Sequence, residues 1–81
     1  MKQIVVPIVA TTFRAMLNCL RDHHALIFID NAVSWNKKKL IHILMVSKGY
    51  KLADFPARRG VFYAKDIDVD QCEVYDPCKL C

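Results

Sequence analysis

The segment LADFPARRGVFYAKD, residues 52–66, places a turn between two short apolar runs. Pro56 sets the backbone angle φ that the first position of a turn requires, and Gly60 is expected to supply a positive φ before the chain reverses. The flanking runs, YKLADF and VFYAKDIDV, are rich in residues that favour β-strands. Because the five residues PARRG separate them, the segment predicts a β-hairpin with an exposed tip.

Two helices are predicted before this hairpin. TTFRAMLNCLRDHH and NKKKLIHILMVSK both carry apolar residues at helical spacing, and Gly49 follows the second one where a glycine commonly ends a helix. The predicted N-cap of the first helix is Thr11, and that of the second is Asn31 or Ser34. The residues predicted to face inward are Phe13, Met16, Leu17 and Leu20, then Leu40, Ile43, Leu44 and Ser47.

Two further strands complete the expected order. QIVVPIV is rich in β-branched residues, although Pro7 has no N–H group to donate and belongs at the edge or end of a strand. ALIFI, residues 25–29, is a continuous apolar run that predicts a strand buried on both faces. The result is a single small α+β domain with the order β-α-β-α-β-β over residues 1–70, followed by an irregular, acidic, cysteine-containing tail over residues 71–81.

An alternative order begins one long helix at Pro7, because proline is well tolerated at the first helical position. This gives α-β-α-β-β, which is similar to a winged helix with PARRG at the tip of the wing. The stretch between Asp30 and Lys48 is short for two helices and a turn, and this favours the first order.

Charge is distributed unevenly along the 81 residues, whose formal net charge is +4. Residues 1–65 hold eleven lysines and arginines against three acids, whereas residues 66–81 hold one lysine against five acids. A basic body of this kind favours a polyanionic partner, either nucleic acid or an acidic protein surface. The high content of hydrophobic residues, 54%, excludes a disordered chain and indicates a packed core.

Two groups of cations are candidates for phosphate contact. Arg58 and Arg59 occupy the hairpin tip, and a guanidinium group has the planar shape that matches phosphate oxygens. The lysine run KKK starts the second helix, where it opposes the helix dipole unless an anion binds there. The predicted nucleic-acid-binding residues are Arg58, Arg59, Lys37, Lys38, Lys39, Lys51 and Lys65. Four aromatic residues lie on the same hairpin: Tyr50, Phe55, Phe62 and Tyr63. Most of them are expected to be core residues, and one with an exposed ring face is predicted to stack on a base.

Three of the four cysteines lie in the acidic tail. Cys72, Cys78 and Cys81 include a terminal C-x2-C pair that could chelate zinc, with Cys19 or His23 as a fourth ligand. No second C-x2-C pair is present, so the favoured interpretation is reduced thiols in the tail, a buried Cys19 and no cofactor, with zinc as the alternative. The sequence contains no glycine-rich phosphate loop, no nucleophile elbow and no carboxylate pair, and we therefore expect a protein that is not an enzyme.

The order β-α-β-α-β-β resembles that of the Alba-type chromatin proteins and of the C-terminal domain of bacterial translation initiation factor three. The resemblance is one of topology and assigns no individual residue. It implies a nucleic-acid-binding fold in which a basic hairpin and helix ends make the contacts.

The favoured hypothesis is a small basic nucleic-acid-binding protein that grips phosphates with Arg58, Arg59 and the lysine run. The alternative is a protein-binding module, such as a small phage-type inhibitor or accessory subunit acting on a host protein complex. The longest apolar runs are too short to span a membrane, and the N-terminus is not typical of a secretory signal. We therefore expect a cytoplasmic protein with no membrane partner.

Overall fold

A computed structural model describes residues 2–55 and 59–75 of the chain. These residues form two sheets, two α-helices and one short 3-10 helix. The strands are β1 (Gln3–Val5), β2 (Ile8–Ala10), β3 (Leu26–Asp30), β4 (Lys51–Ala53), β5 (Gly60–Ala64) and β6 (Cys72–Val74). The helices are α1 (Phe13–Arg21), α2 (Trp35–Ser47) and the 3-10 helix Val69–Gln71. The predicted small α+β fold is confirmed, with the order β-α-β-α-β-β over β2 to β5.

The main sheet has the strand order β2-β3-β5-β4. β2 and β3 are parallel and are connected through α1, whereas β5 runs antiparallel to both β3 and β4. β4 and β5 form the predicted hairpin, in which Ala53 lies opposite Phe62. The alternative winged-helix order is wrong, because residues 8–10 form a strand and the first helix begins at Phe13.

The central strand β3 contributes to a hydrophobic core on each side of the main sheet. Ile27 and Ile29 pack with buried residues of α1 and α2. Leu26 and Phe28 belong to the second core, which also contains Val74 of β6. This agrees with the prediction that ALIFI is buried on both faces, since side chains along a strand alternate between the two faces of a sheet.

A small second sheet covers the second core. β1 pairs in parallel with β6, and Val5 lies opposite Val74. The predicted N-terminal strand is therefore divided at Val6 and Pro7, with one part in each sheet. The interpretation of residues 72–74 as part of an irregular tail is wrong. A three-residue strand leaves little periodicity to detect, and its partner lies at the other end of the chain.

The first helix largely follows its predicted pattern. Met16 and Leu20 are buried together with Cys19, but Leu17 is exposed. The N-cap is Thr12 rather than Thr11, because the Thr12 hydroxyl oxygen accepts a hydrogen bond from the Ala15 N–H at 3.0 Å.

The predicted buried face of α2 is wrong. Ile41 and Met45 are buried and Leu44 is half-buried. The other residues predicted to face inward are exposed: Leu40, Ile43 and Ser47. α2 carries apolar residues around most of its circumference, so their spacing does not select the side that packs against the sheet.

Candidate nucleic-acid interface

Both α-helices begin at the same edge of the main sheet. α1 follows β2 and α2 follows β3, and the carboxyl ends of these parallel strands meet at that edge. Neither helix has an acidic residue in its first turn, and the Ser34 side chain makes no capping hydrogen bond. The N–H groups at a helix start carry partial positive charge. This edge is therefore electropositive even before the charged side chains are considered.

Asn31 connects the hairpin to α2 at this edge. Its backbone N–H donates to the carbonyl oxygen of Arg59 at 2.6 Å, and its side-chain oxygen Oδ1 accepts from Lys38 Nζ at 2.8 Å. The preceding residue, Asp30, lies opposite Gly60 in the pairing of β3 with β5. The Arg59 backbone and the Lys38 ammonium group, which are far apart in the sequence, are therefore neighbours through one asparagine.

The other two lysines of the run lie beside cavities at the start of α2. Lys37 Nζ is 5.9 Å from the centre of the Phe13 ring, next to a cavity of about 210 Å³ between the starts of the two helices. Lys39 borders a second cavity beside Trp35. We refer to these four cations together as the cationic edge: Lys37, Lys38, Lys39 and Arg59.

Few carboxylates oppose the cationic edge among the described residues. The nearest acid along the chain is Asp30, whose Oδ1 accepts a hydrogen bond from the Ala32 N–H at 2.8 Å. Within residues 2–55 and 59–75, the one ion pair joins Arg21 to Asp22 at 3.6 Å, on the exposed end of α1. The four cations of the edge thus form no ion pair with the described acids of the C-terminal segment.

Lys51 and Lys65 lie at the opposite end of the hairpin. Lys51 is paired with Ala64, four residues along β5 from Gly60, a separation of about 13 Å at the usual rise per strand residue. Lys51 also lines a groove together with Asp54, Asp66 and Asp68. Lys65 Nζ lies 5.7 Å from the centre of the Tyr50 ring. These two predicted contacts therefore do not belong to the cationic edge.

The predicted stacking residues of the hairpin are mostly core residues. Phe55 is half-buried and packs edge-on against Phe62, with 5.8 Å between ring centres. The other three are buried: Tyr50, Phe62 and Tyr63. The exposed aromatic residue beside the cations is Trp35, which is 71% exposed. Sequence reasoning missed it, although its position next to the lysine run was a signal that could have identified it.

The hairpin tip is described only in part. Pro56, Ala57 and Arg58 lie outside the described residues, and the prediction for Arg58 stays a prediction. Gly60 does not have the positive φ that the sequence suggested, since Gly49 is the glycine with that conformation in the described part of the chain. A glycine is needed at position 60 because there is no room for a side chain: an added Cβ would lie 2.6 Å from the Phe28 ring.

The predicted zinc site is likewise described only in part. Cys72 is buried in β6, whereas Cys78 and Cys81 lie outside the described residues. Cys19 packs with the helices on the other side of the main sheet, so it is not a neighbour of Cys72. Across residues 2–55 and 59–75, no cluster of three or more His, Cys, Asp or Glu side chains could hold a metal ion. Zinc binding by the tail stays the untested alternative to a protein without a cofactor.

Comparison with protein-family models, with curated proteins and with solved structures gives no match to this chain. Within the described residues, neither helix combines the length and the apolar composition that a membrane span requires.

Proposed function

We propose that this protein binds nucleic acid, in a non-enzymatic role, by contacting phosphates with the cationic edge. The observation that carries the proposal is the link through Asn31, which joins the backbone carbonyl oxygen of Arg59 in the hairpin to the ammonium group of Lys38 in α2 by hydrogen bonds of 2.6 and 2.8 Å. Arg58 precedes Arg59 in the chain and is included on sequence grounds. Lysines and arginines that meet on one surface form the electrostatic footprint typical of nucleic-acid-binding proteins.

The chemistry of each group suits a phosphate oxygen. A guanidinium group donates a planar pair of hydrogen bonds, and an ammonium group has three donors. Lys38 uses one donor on Asn31, which leaves two for a ligand. The start of α2 adds backbone N–H groups with no acidic side chain to compete for them. A sequence selected only for stability would place acids there, because a lysine run at a helix start opposes the helix dipole.

Salt dependence of binding tests the proposal. We expect the logarithm of the affinity for a fluorescein-labelled oligonucleotide, measured by anisotropy, to fall linearly with the logarithm of the salt concentration. The double variant Lys38→Ala, Arg59→Ala should reduce that slope by about 1.8 for duplex and about 1.4 for single-stranded nucleic acid, because two phosphate contacts are lost. The matched control is Lys51→Ala, Lys65→Ala, which removes two positive charges from the other end of the hairpin.

The control distinguishes specific placement from net charge. If the cationic edge binds phosphates, the control variant keeps a slope close to that of the unchanged protein. Equal losses of slope in the two double variants would mean that charge alone, wherever it lies, attracts the ligand. No anisotropy change at low salt would rule out nucleic-acid binding.

A second candidate function, a protein-binding module acting as an inhibitor or accessory subunit, is favoured by the outer face of α2. Leu40, Ile43 and Val46 are all exposed there. Clustered exposed apolar residues commonly mark an interaction surface. Pull-down after nuclease treatment would test it: Leu40→Ser, Val46→Ser should release a protein partner and leave nucleic-acid affinity unchanged.

A further inference from the structure

Trp35 is unusual in its exposure. It is the first residue of α2 and the only tryptophan of the 81-residue chain, and 71% of its surface is accessible to solvent. A tryptophan side chain is large and mainly apolar, so it is normally well buried in a protein core or an interface. Among the described residues, Trp35 is the exposed aromatic side chain that lies beside the cationic edge.

A cavity of about 380 Å³ lies beside this tryptophan. This volume is within the range of about 300–1,000 Å³ that small-molecule sites occupy. Apolar carbon contributes nearly all of the cavity surface, and two lysines contribute to the lining. The lining residues are Trp35, Lys38, Lys39, His42 and Ile43.

The far wall of the cavity is anchored to the sheet. His42 Nδ1 and the Tyr63 hydroxyl oxygen are 2.8 Å apart, and this hydrogen bond ties α2 to β5. Burial raises the pKa of the Tyr63 hydroxyl, so it stays neutral and retains its proton at physiological pH. Lys38 is held at the near side by its hydrogen bond to Asn31. Hydrogen bonds therefore hold two of the lining residues in place, His42 and the cation Lys38.

We propose that this cavity receives an unpaired nucleobase, which stacks on Trp35 while the adjoining phosphates contact Lys38 and Lys39. The proposal rests on the proposed function and adds to it the class of ligand, single-stranded nucleic acid. In a duplex each base is already stacked between its neighbours and cannot reach an indole ring. Single strands, by contrast, are commonly bound by exposed aromatic side chains next to a cationic groove.

Charge favours a nucleobase over a second copy of this chain as the occupant. Residues 31–53, which include all of α2, contain five lysines and no acid. A second copy of this chain would bring the same cations to the same face, and they would repel each other. A single strand offers an apolar ring face for Trp35 and an anion on either side of it within one nucleotide repeat. It thus matches both features of the cavity.

Fluorescence of the only tryptophan reports directly on the cavity. We expect a 12-nucleotide oligothymidylate to quench Trp35 emission to a saturating value, with the same midpoint as the anisotropy change of a fluorescein-labelled copy. A duplex of equal length, tested at the same low salt, should bind more weakly and leave the emission unchanged. Quenching of equal size by the duplex would overturn the proposal, because no unpaired base would then be required.

Substitution of Trp35 tests the energetic contribution of stacking. Loss of one base–aromatic stack costs about 1–3 kcal/mol, so Trp35→Ala should weaken binding of the single strand by about 5- to 160-fold in the anisotropy assay. The slope against salt should stay unchanged, because no charge is removed, and Trp35→Phe should recover part of the affinity. Leu40→Ala, an exposed apolar residue of the same helix outside the cavity, is the control and should bind normally.

The possible results separate this inference from the function on which it rests. If both strand forms bind but Trp35→Ala has no effect, the protein binds nucleic acid and the stacking proposal is wrong. If neither form binds, both proposals fall together. If Trp35→Ala leaves nucleic-acid affinity intact but releases a protein in a nuclease-treated pull-down, the cavity is a protein-docking site and the stacking proposal is overturned. Circular dichroism of each variant confirms that the fold is retained.

Discussion

Gly60 holds the hairpin against the central strand because it has no side chain. A Cβ atom there would clash with the carbonyl oxygen of Ile29 and lie 2.6 Å from the Phe28 ring. The carbonyl belongs to the sheet backbone and cannot turn aside as a flexible side chain can. Gly60→Ala is therefore expected to lower the free energy of unfolding by about 1–3 kcal/mol, the usual effect of overpacking. Urea denaturation measures this change, and an unaltered midpoint would show that the sheet accommodates the methyl group.

The sequence identified Gly60 as a necessary glycine but suggested the wrong reason. A glycine after a proline-containing loop usually supplies a positive φ, and this is a local property. The real constraint is the close approach of Phe28, which depends on the register between β3 and β5. Such a contact joins residues far apart in the sequence, so no local pattern reveals it.

Three buried side chains should make the fold sensitive to alkaline pH. Burial is the largest cause that raises the pKa of each group, above 9.0 for the Cys19 thiol and above 10.0 for the Tyr50 and Tyr63 hydroxyls. The Asp22 carboxylate further raises the pKa of Cys19. Cys19 and Asp66 further raise the pKa of Tyr50. The folded state therefore holds these protons more tightly than the unfolded state. The resulting stability is complete below pH 9 and is lost as the pH rises through the raised values.

We expect the free energy of unfolding to fall from about pH 9 upward. Tyr63→Phe should make the fall above pH 10 less steep, since the ring can no longer ionise. At neutral pH it should cost about 1 kcal/mol, because the hydrogen bond to His42 is lost. Urea denaturation between pH 7 and pH 11 measures both effects. Tyr75→Phe, at an exposed tyrosine, is the control; the same slope in Tyr63→Phe and in the control would contradict the assignment.

The two helices end in the same hydrogen-bonding motif, although only one of them has a glycine in it. At the end of α2, the Gly49 N–H donates to Val46 and the next N–H donates to Met45, both at 3.0 Å. At the end of α1, the His23 N–H donates to Leu20 at 3.3 Å and the next one to Cys19 at 3.4 Å. This pair of bonds defines the Schellman motif, which requires a left-handed residue. Gly49 has φ of 90°, and His23 has φ of 58°.

His23→Gly should therefore stabilise the protein. The left-handed conformation costs a residue with a Cβ atom about 1–2 kcal/mol, and the greater freedom of glycine in the unfolded chain offsets about half of this. We expect the free energy of unfolding to rise by about 0.5–1 kcal/mol in urea denaturation. His23→Ala keeps the Cβ atom and should bring no gain. Equal stabilisation by both substitutions would place the cause in the imidazole group rather than in the backbone.

The two helices also differ in how well their sequences predict which face is buried. α1 has polar residues such as Arg14 and Asn18 on one side, so its buried face was predicted apart from Leu17. α2 has apolar residues on almost every side, and the prediction selected the wrong face. What fixes that face is tertiary: Met45 packs with Tyr50 in the first core, and His42 is hydrogen-bonded to Tyr63. Neither contact has a signature within the helix itself.

At the scale of the whole molecule, the candidate site is assembled from three separate segments of the chain. Arg59 comes from the hairpin, Asn31 from the end of β3, and Lys38 from α2. The clustering of cations in the sequence predicted that the hairpin tip and the lysine run act together. It did not separate Lys51 and Lys65 from them, because the length and register of a hairpin determine which end each residue occupies.

The β1–β6 sheet also depends on both ends of the chain, and it closes the second core. Val5 and Val74 are paired and pack against the cluster that contains Phe28 and Phe62. Val74→Asp would put a charge against this apolar cluster. We expect the free energy of unfolding to fall by about 1–3 kcal/mol in urea denaturation.

Amide hydrogen exchange should show where that substitution acts. In the part of the chain that the structure describes, β1 and β6 are three-residue strands that pair only with each other, whereas β3 and β5 pair over five residues. Val74→Asp should therefore speed exchange most in β1 and β6, because short elements with few buried contacts open locally at low free energy. Glu73→Lys changes an exposed neighbour on the same strand and should alter stability by less than about 0.5 kcal/mol. If Val74→Asp accelerates exchange equally in all strands, the second sheet unfolds together with the first and is part of a single cooperative unit.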